Sequence, residues 1–165
     1  MKFSINTIYL AGGCLWGVQE FFRHIPGVLV TEAGRANGST QMLNGDYDGY
    51  AECIKLDFDG NSLSVTQLIE YLFEIIDPYS VDKQGPDIGK KYRAGVYSTN
   101  ESHLSEAKKY IASIQSKDVS KPIAIEVLPL INYLKSADEH QDRLQRFPDE
   151  VCHLPKHLLY KYRRA

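Results

Sequence analysis

The sequence has 165 residues, a net charge of −2, 43% hydrophobic residues and 24% charged residues. This length and composition are typical of one soluble globular domain that is large enough to bury a sizeable core. The small net charge provides no general attraction to nucleic acid or to an anionic membrane, so we expect neither as a partner.

The N-terminal stretch lacks the features of an export signal, because its apolar run over residues 8–11 is too short. No stretch reaches the length of a membrane-spanning helix. We therefore expect a cytoplasmic protein whose three cysteines meet a reducing environment and form no permanent disulfide.

Apolar periodicity predicts alternating strands and helices along the chain. Strands are predicted over residues 5–10, 28–33, 51–58, 93–98 and 123–128. Helices are predicted over residues 15–25, 64–76, 102–116 and 136–146. Polar, glycine-containing loops are expected over residues 34–49 and 79–91.

The first six predicted elements follow the order strand, helix, strand, strand, helix, strand, which is the split βαβ arrangement. We therefore predict an α+β fold: a two-layer sandwich with a mixed sheet and packed helices. It would have a ferredoxin-like βαββαβ core plus a C-terminal extension. Residues 1–165 are predicted to form a single domain, with residues 147–165 as its C-terminal tail.

The stretch YLAGGCLWGVQEFF places Cys14 where the first strand passes into the first helix. Unpaired N–H groups at a helix start stabilise a thiolate, so we expect a lowered pKa and a nucleophilic role for Cys14. The competing interpretation is a small buried hydrophobe, a common role of free cysteine. The glycines fit neither a phosphate loop nor a dinucleotide-binding fingerprint, because the residues that those motifs require do not follow them.

The hexapeptide GGCLWG resembles the GGCFWG signature of the A-type peptide methionine sulfoxide reductases. GYAE at 49–52 resembles the G-H-A-E of that family, and DKQGPDIGKKYRAGVY at 82–97 resembles its R-Q-G-x-D-x-G-x-x-Y-R-S-x-I-Y block. EHQDRLQRFP at 139–148 resembles its helix ending in H-Q. The resemblance implies a thiol-dependent oxidoreductase, a peptide-methionine (S)-S-oxide reductase, which repairs oxidative damage in free methionine or in proteins without a cofactor.

The same resemblance implies individual roles. Cys14 is the expected nucleophile, which would become a sulfenic acid, and Glu52 is the expected proton donor. A carboxylic acid among apolar side chains is harder to ionise, which suits a donor at neutral pH. Asp87 and Tyr92 would hydrogen-bond the sulfoxide oxygen and the charge that develops on it.

The pocket for the substrate methyl group is expected to consist of Trp16 and Leu15, where Leu15 replaces the usual phenylalanine. The loop over residues 39–48 lacks the N-P-T-Y segment of the family, so Tyr47 is predicted to supply a substitute phenol. Tyr50 replaces the histidine that precedes the acid in the family motif.

The tail sequence DEVCHLP contains Cys152, which the resemblance implies is the resolving thiol. A transient disulfide between Cys14 and Cys152 would then be reduced by thioredoxin. Cys53 is predicted to lie on the opposite face of its strand from Glu52, as a structural thiol. No metal is expected, because Pro155 interrupts any helical pairing of Cys152 with the following histidines.

Two alternatives stay open. A thiol peroxidase also forms a sulfenic acid, but it needs a cation beside the thiol, and none is adjacent in the sequence. A redox-sensing or binding domain without catalysis would use the same fold. It would not need an acid together with a second thiol.

Overall fold

The structure is a computed structural model that describes residues 2–164. Within them, the strands in chain order are β1 (Ile5–Ala11), β2 (Val28–Ala36), β3 (Ala51–Asp59), β4 (Lys83–Gln84), β5 (Asp87–Ile88), β6 (Gly95–Ser98), β7 (Glu126–Pro129) and β8 (Tyr133–Lys135). The α-helices are α1 (Leu15–Phe22), α2 (Val65–Phe73), α3 (Glu101–Gln115), α4 (Arg143–Arg146) and α5 (Lys156–Leu159). Short 3-10 helices cover Lys90–Tyr92 and Asp138–His140.

Six strands form one mixed sheet in the order β7-β6-β1-β3-β2-β8. Neighbours pair antiparallel except β6 and β7, which are parallel. The strands β4 and β5 form a separate small hairpin. The chain is therefore an α+β protein with a mixed sheet and several helices, as the sequence predicts at this level.

The two faces of the central strands bury different side chains, because successive residues of a strand point in opposite directions. Ile8 and Ile54 belong to the main core beneath the helices, whereas Tyr9 and Cys53 belong to a smaller cluster on the other face. Cys53 thus lies opposite the helix-bearing face and is fully buried, as its strand position predicts.

Helix α2 has the predicted start at Ser64. The Ser64 hydroxyl accepts a hydrogen bond from Gln67 N at 3.1 Å, and the Gln67 side chain accepts one from Ser64 N at 2.9 Å. This capping box satisfies two N–H groups that would otherwise lack partners. The helix buries Leu68 and Leu72 completely, and each contributes about 1.5–3 kcal/mol to the hydrophobic stabilisation.

The prediction of one helix over residues 136–146 is wrong. Strand β8 ends just before this segment, and a 3-10 turn and the short α4 are separated by Asp142, whose φ of +50° is left-handed. The Gln141 side chain explains the break, because it accepts a hydrogen bond from Ala33 N at 2.8 Å and donates one to Ala33 O at 2.9 Å. These bonds hold the chain against β2 and favour a local turn over a continuous helix.

None of the helices within residues 2–164 combines the length and the apolar character that crossing a bilayer requires.

Candidate active site

A group of chemically reactive side chains lies around a pocket of about 410 Å³ where β1 passes into α1. Six of the residues selected from the sequence line it together: Cys14, Trp16, Glu52, Asp87, Tyr92 and Cys152. They come from four separate parts of the chain, so the tertiary structure brings the predicted acid, both thiols and the loop polar groups into one site.

The turn before Cys14 depends on Gly13, whose φ of +85° is a conformation that side chains with a Cβ rarely adopt. Gly13 N donates a hydrogen bond to Tyr92 O at 3.2 Å, which links this turn to the loop that carries Tyr92. Cys14 itself is the N-cap of α1 and has extended dihedral angles. Its side chain therefore projects into the pocket rather than along the helix.

The expectation of a lowered pKa for Cys14 is wrong. Burial and, to a smaller extent, the charge of Glu52 raise the pKa of this thiol to about 12, although the backbone N–H of Trp16 opposes the increase. Removal from water disfavours the thiolate more than one helix-start N–H group favours it. The Cys14 thiol is therefore protonated at neutral pH.

Glu52 shows the pKa shift that the sequence predicts. Burial raises the pKa of its carboxyl group, and the N–H of Leu15, which donates to Oε1 at 3.3 Å, and the charge of Lys91 oppose the increase. Every second residue of β3, counted from Glu52, faces the helices, so the Glu52 side chain points toward the start of α1. A carboxyl group held in this way keeps its proton to higher pH than an exposed glutamate does, which suits a proton donor.

Arg93 holds the loops that carry the other polar groups. Its guanidinium donates hydrogen bonds to Gly49 O at 3.0 Å, Tyr50 O at 3.2 Å and Lys90 O at 2.9 Å, and it pairs with Glu126 at 3.0 Å. The buried cation thus fixes the entry to β3 and the 3-10 turn that contains Tyr92 in one arrangement.

Tyr92 faces the pocket with its phenol protonated, because burial and the charge of Glu52 raise its pKa. The ammonium of Lys91 lies 5.1 Å from the centre of the Tyr92 ring. Asp87 borders the same pocket from β5. The loop therefore offers a phenol O–H, an ammonium group and a carboxyl group to the pocket that Trp16 also lines.

Trp16 forms an apolar wall whose orientation is fixed by His140. The indole Nε1 donates a hydrogen bond to His140 Nδ1 at 3.1 Å, and the guanidinium of Arg143 lies 5.1 Å from the centre of the indole ring. Both partners are more than 120 residues away in the sequence. The indole is therefore held in place by the segment that follows β8.

The second thiol is packed against the helix that begins at Cys14. A Cβ on Gly17 would lie 2.9 Å from Cys152 Sγ, so the absence of a side chain at this position lets the sulfur approach α1. The neighbouring Leu154 is buried in the main core and donates its N–H to Cys152 Sγ at 3.5 Å. The tail is thus docked with its thiol already in the pocket.

Comparison with known proteins gives a family for this arrangement. The family model described as peptide methionine sulfoxide reductase matches residues 6–164. The chain belongs to the peptide methionine sulfoxide reductase family. It is an oxidoreductase that reduces methionine sulfoxide by thiol chemistry.

Solved structures of this family have the same fold. The reduced form of Mxr1 from Saccharomyces cerevisiae is 25% identical, with a TM-score of 0.82 over 90% of this chain and 88% of that one. Methionine sulfoxide reductase A of Corynebacterium diphtheriae is 28% identical, with a TM-score of 0.81 over 93% of this chain and 79% of that one. Mxr1 in complex with Trx2 is 22% identical, with a TM-score of 0.60 over 87% of this chain and 89% of that one.

Two residues selected from the sequence lie outside the main pocket of this reductase. Leu15 is buried and lines a smaller neighbouring cavity of about 150 Å³, which Glu52 also borders. Tyr47 is 48% exposed, and its hydroxyl donates to Tyr50 O at 2.6 Å while the two rings pack edge to face. Tyr47 thus supports the loop before Glu52, and in this structure its hydroxyl does not face the pocket.

Sequence reasoning missed three titratable residues of the pocket: Lys91, His140 and His153. Lys91 and His140 lie within the quoted family blocks, next to Tyr92 and Gln141. This adjacency is the signal that could have identified them as pocket residues. His153 follows Cys152 directly, and it was considered only as a metal ligand. Lys91 is a cation that lines the same pocket as Cys14, although none is adjacent to Cys14 in the sequence.

Proposed function

We propose that this reductase acts on the S epimer of methionine sulfoxide, free or within proteins, and that Cys14, Glu52 and Cys152 perform the reaction. The observation that carries the proposal is that the two thiols and the buried carboxyl group line one pocket. A binding domain has no need of such a combination. A thiol peroxidase would require a reactive thiolate, which burial of Cys14 disfavours.

In the first step Glu52 donates its proton to the sulfoxide oxygen while Cys14 Sγ attacks the sulfoxide sulfur. The carboxylate left on Glu52 accepts the proton of the Cys14 thiol, which a group with a pKa of about 12 would not release to water at neutral pH. The bond between the two sulfur atoms then breaks, with its electron pair passing to the substrate sulfur, while the oxygen and its proton are transferred from the substrate sulfur to Cys14. The products are methionine and a Cys14 sulfenic acid, so the substrate gains the two electrons that Cys14 loses.

The remaining pocket residues bind and orient the substrate. We assign the methyl group to the wall formed by Trp16, because its indole is fixed by His140 and offers an apolar face. The phenol O–H of Tyr92 is assigned as the hydrogen-bond donor to the sulfoxide oxygen, and Asp87 is assigned to the same end of the substrate. Hydrogen-bond donors directed at the developing charge lower the barrier to its formation.

In the second step Cys152 attacks the sulfenic acid of Cys14, which gives a disulfide and water. We propose that thioredoxin reduces this disulfide, because thiol exchange with an external dithiol would restore both cysteines. The similar yeast protein Mxr1 has been solved in complex with Trx2, which supports this partner. The docked position of Cys152 beside Gly17 supports its role as the resolving thiol.

The experiment supplies both epimers of N-acetylmethionine sulfoxide with dithiothreitol and measures the methionine derivative formed. We expect turnover of the S epimer only, and its loss in Cys14→Ser. Cys53→Ala is the matched control, since this thiol lies on the other face of the sheet. Equal use of both epimers, turnover by Cys14→Ser, or consumption of peroxide without sulfoxide reduction would contradict the proposal.

Three further assignments accompany this function. We infer that the central strands form a ferredoxin-like core, because β6-β1-β3-β2 is the antiparallel order that a split βαβ motif generates. We propose that residues 1–165 act as one domain, with residues 147–165 as the tail that carries Cys152. The cytoplasmic location stays a prediction.

A further inference from the structure

The imidazole of His153 is built into the pocket wall, although the mechanism above gives it no part. Its side chain is 9% exposed, and it lines the pocket together with Cys14 and Cys152. Within residues 2–164, neither ring nitrogen has an aligned hydrogen bond. Because Nδ1 lies at ion-pair distance from Asp87, the free-energy cost of a buried polar atom without a partner falls on Nε2, and a function at this position would explain it.

The ring lies in a narrow slot next to the nucleophile. A Cβ on Gly13 would be 3.3 Å from His153 Cε1, and a Cβ on Gly85 would be 3.6 Å from His153 Cδ2. The Nδ1 atom lies 3.0 Å from Asp87 Oδ2, at the distance of an ion pair. The imidazole therefore packs between two glycines and against a carboxyl group, directly beside the residue that precedes Cys14.

The two adjacent tail residues contact α1 at different points. His153 packs against Gly13, before Cys14, whereas Cys152 Sγ packs against Gly17, one turn later. The tail thus spans the N-terminus of α1, and the two contacts together fix the position of Cys152 relative to Cys14.

We propose that His153 is the positioning and proton-relay residue for the attack of Cys152 on the sulfenic acid of Cys14. This inference rests on the proposed function. The S–H bond of Cys152 breaks, and its proton passes to the imidazole. A bond forms between the two sulfur atoms as the S–O bond of Cys14 breaks. The departing hydroxide takes the proton of the imidazolium and leaves as water, so no further oxidant or reductant is needed.

The environment of Cys152 explains why a base is required. Burial raises the pKa of its thiol, and the charge of Asp87 raises it further. The Asp87 carboxyl group lies 3.0 Å from Nδ1 of His153 and so holds the ring in place. The titratable groups that line the pocket around the imidazole are Cys14, Glu52, Asp87, Lys91, Tyr92, His140 and Cys152.

The test separates the two chemical steps in a single turnover without reductant. Reduced enzyme is mixed with N-acetylmethionine (S)-sulfoxide, and the methionine derivative and the loss of two thiols are followed in time from about pH 5 to 8. The ratio of the rate of disulfide formation to the rate of methionine formation is compared for the wild type, His153→Ala and His153→Asn. His157→Gln is the control, because this histidine is exposed in α5 of the same tail.

We expect the ratio to fall about a hundredfold in His153→Ala, with the sulfenic acid accumulating as an adduct of dimedone. In the wild type the disulfide step should slow toward acid pH, because only an unprotonated ring can accept the thiol proton. His153→Asn retains an N–H group for Asp87 and should recover part of the rate, but not this pH dependence.

A ratio within about twofold of the wild type in both variants, or an equal fall in His157→Gln, would overturn the role of His153. If the disulfide step still slows toward acid pH in His153→Asn, another pocket group causes the decline, and this result would also overturn the role of His153. Failure of the proposed function has a different signature, since the wild type would then form no methionine derivative or lose no thiols.

Discussion

Replacement of Glu52 by glutamine tests the proton donor with little change in shape. Glutamine retains a side-chain oxygen that can accept the N–H of Leu15, which the carboxyl group accepts at 3.3 Å. The substitution therefore preserves the contact between β3 and α1 while it removes the ionisable proton. Any large loss of activity then reports on proton transfer rather than on packing.

The expected loss follows from the role of a general acid, which typically accelerates a reaction by about 10²–10⁴-fold. At about 1.36 kcal/mol for each factor of ten, Glu52→Gln should raise the barrier to methionine formation by about 2.7–5.4 kcal/mol. Wild-type activity should also decline as pH rises through the raised pKa of Glu52, because the acid form is lost. The variant should not show this decline.

Glu52→Gln should lower activity but raise the free energy of unfolding at neutral pH. Folded Glu52 keeps its proton at pH values where the unfolded chain, with a carboxyl pKa near 4.5, has released it. The unfolded state then binds fewer protons, so wild-type stability falls as pH rises from that value through the folded pKa. Glu52→Gln avoids this penalty, so its free energy of unfolding should exceed that of the wild type at neutral pH. The difference between the two proteins should be smaller at pH 4.

The assay measures single-turnover methionine formation across pH, together with urea unfolding at pH 4 and pH 7. Glu70→Gln is the control, because it makes the same change at an exposed position of α2. Activity of Glu52→Gln within about threefold of the wild type would refute the assignment of Glu52 as the acid. A relative stability that does not depend on pH would refute the raised pKa.

Three further predictions concern neighbouring groups. Lys91→Met removes a cation that lowers the pKa of Glu52, so the alkaline decline of dithiothreitol-supported activity should move to higher pH. Gly17→Ala places a Cβ 2.9 Å from Cys152 Sγ, so the sulfur must shift. Disulfide formation should then slow by tenfold or more relative to methionine formation, because a small misplacement of reacting atoms costs about this much in rate. The pKa of about 12 at Cys14 predicts that alkylation of this thiol by iodoacetamide accelerates about tenfold per pH unit between pH 7 and 10, as its thiolate fraction rises.

Each of these predictions has a matched comparison. Lys90→Met changes an exposed neighbour that does not act on Glu52, and an equal shift of its pH profile would refute the electrostatic explanation. Gly45→Ala adds a Cβ no closer than 3.6 Å to its nearest neighbour, so slower disulfide formation there would remove the steric argument. Alkylation of Cys14 that is already at its maximal rate near pH 7 would show that the thiol ionises readily.

Local sequence was sufficient for features that neighbouring residues control. The start of α2 was predictable because Ser64 and Gln67 satisfy each other's N–H groups within one turn. The turn at Gly13 was predictable because few other residues adopt a positive φ there. The helix predicted over residues 136–146 failed for the complementary reason: the amide of Gln141 bonds to Ala33, 108 residues away, and ends the periodic pattern.

The identity of the site was encoded in the order of short motifs, which placed Cys14, Glu52, Asp87, Tyr92 and Cys152 on the chain without locating them in space. Only the tertiary structure determined that Cys14 is protonated, because a pKa depends on burial and on charges that come from distant segments. The same holds for His140 against Trp16 and for His153 against Asp87. The sequence therefore determined which groups are available for the reaction, and packing determined their protonation and their partners.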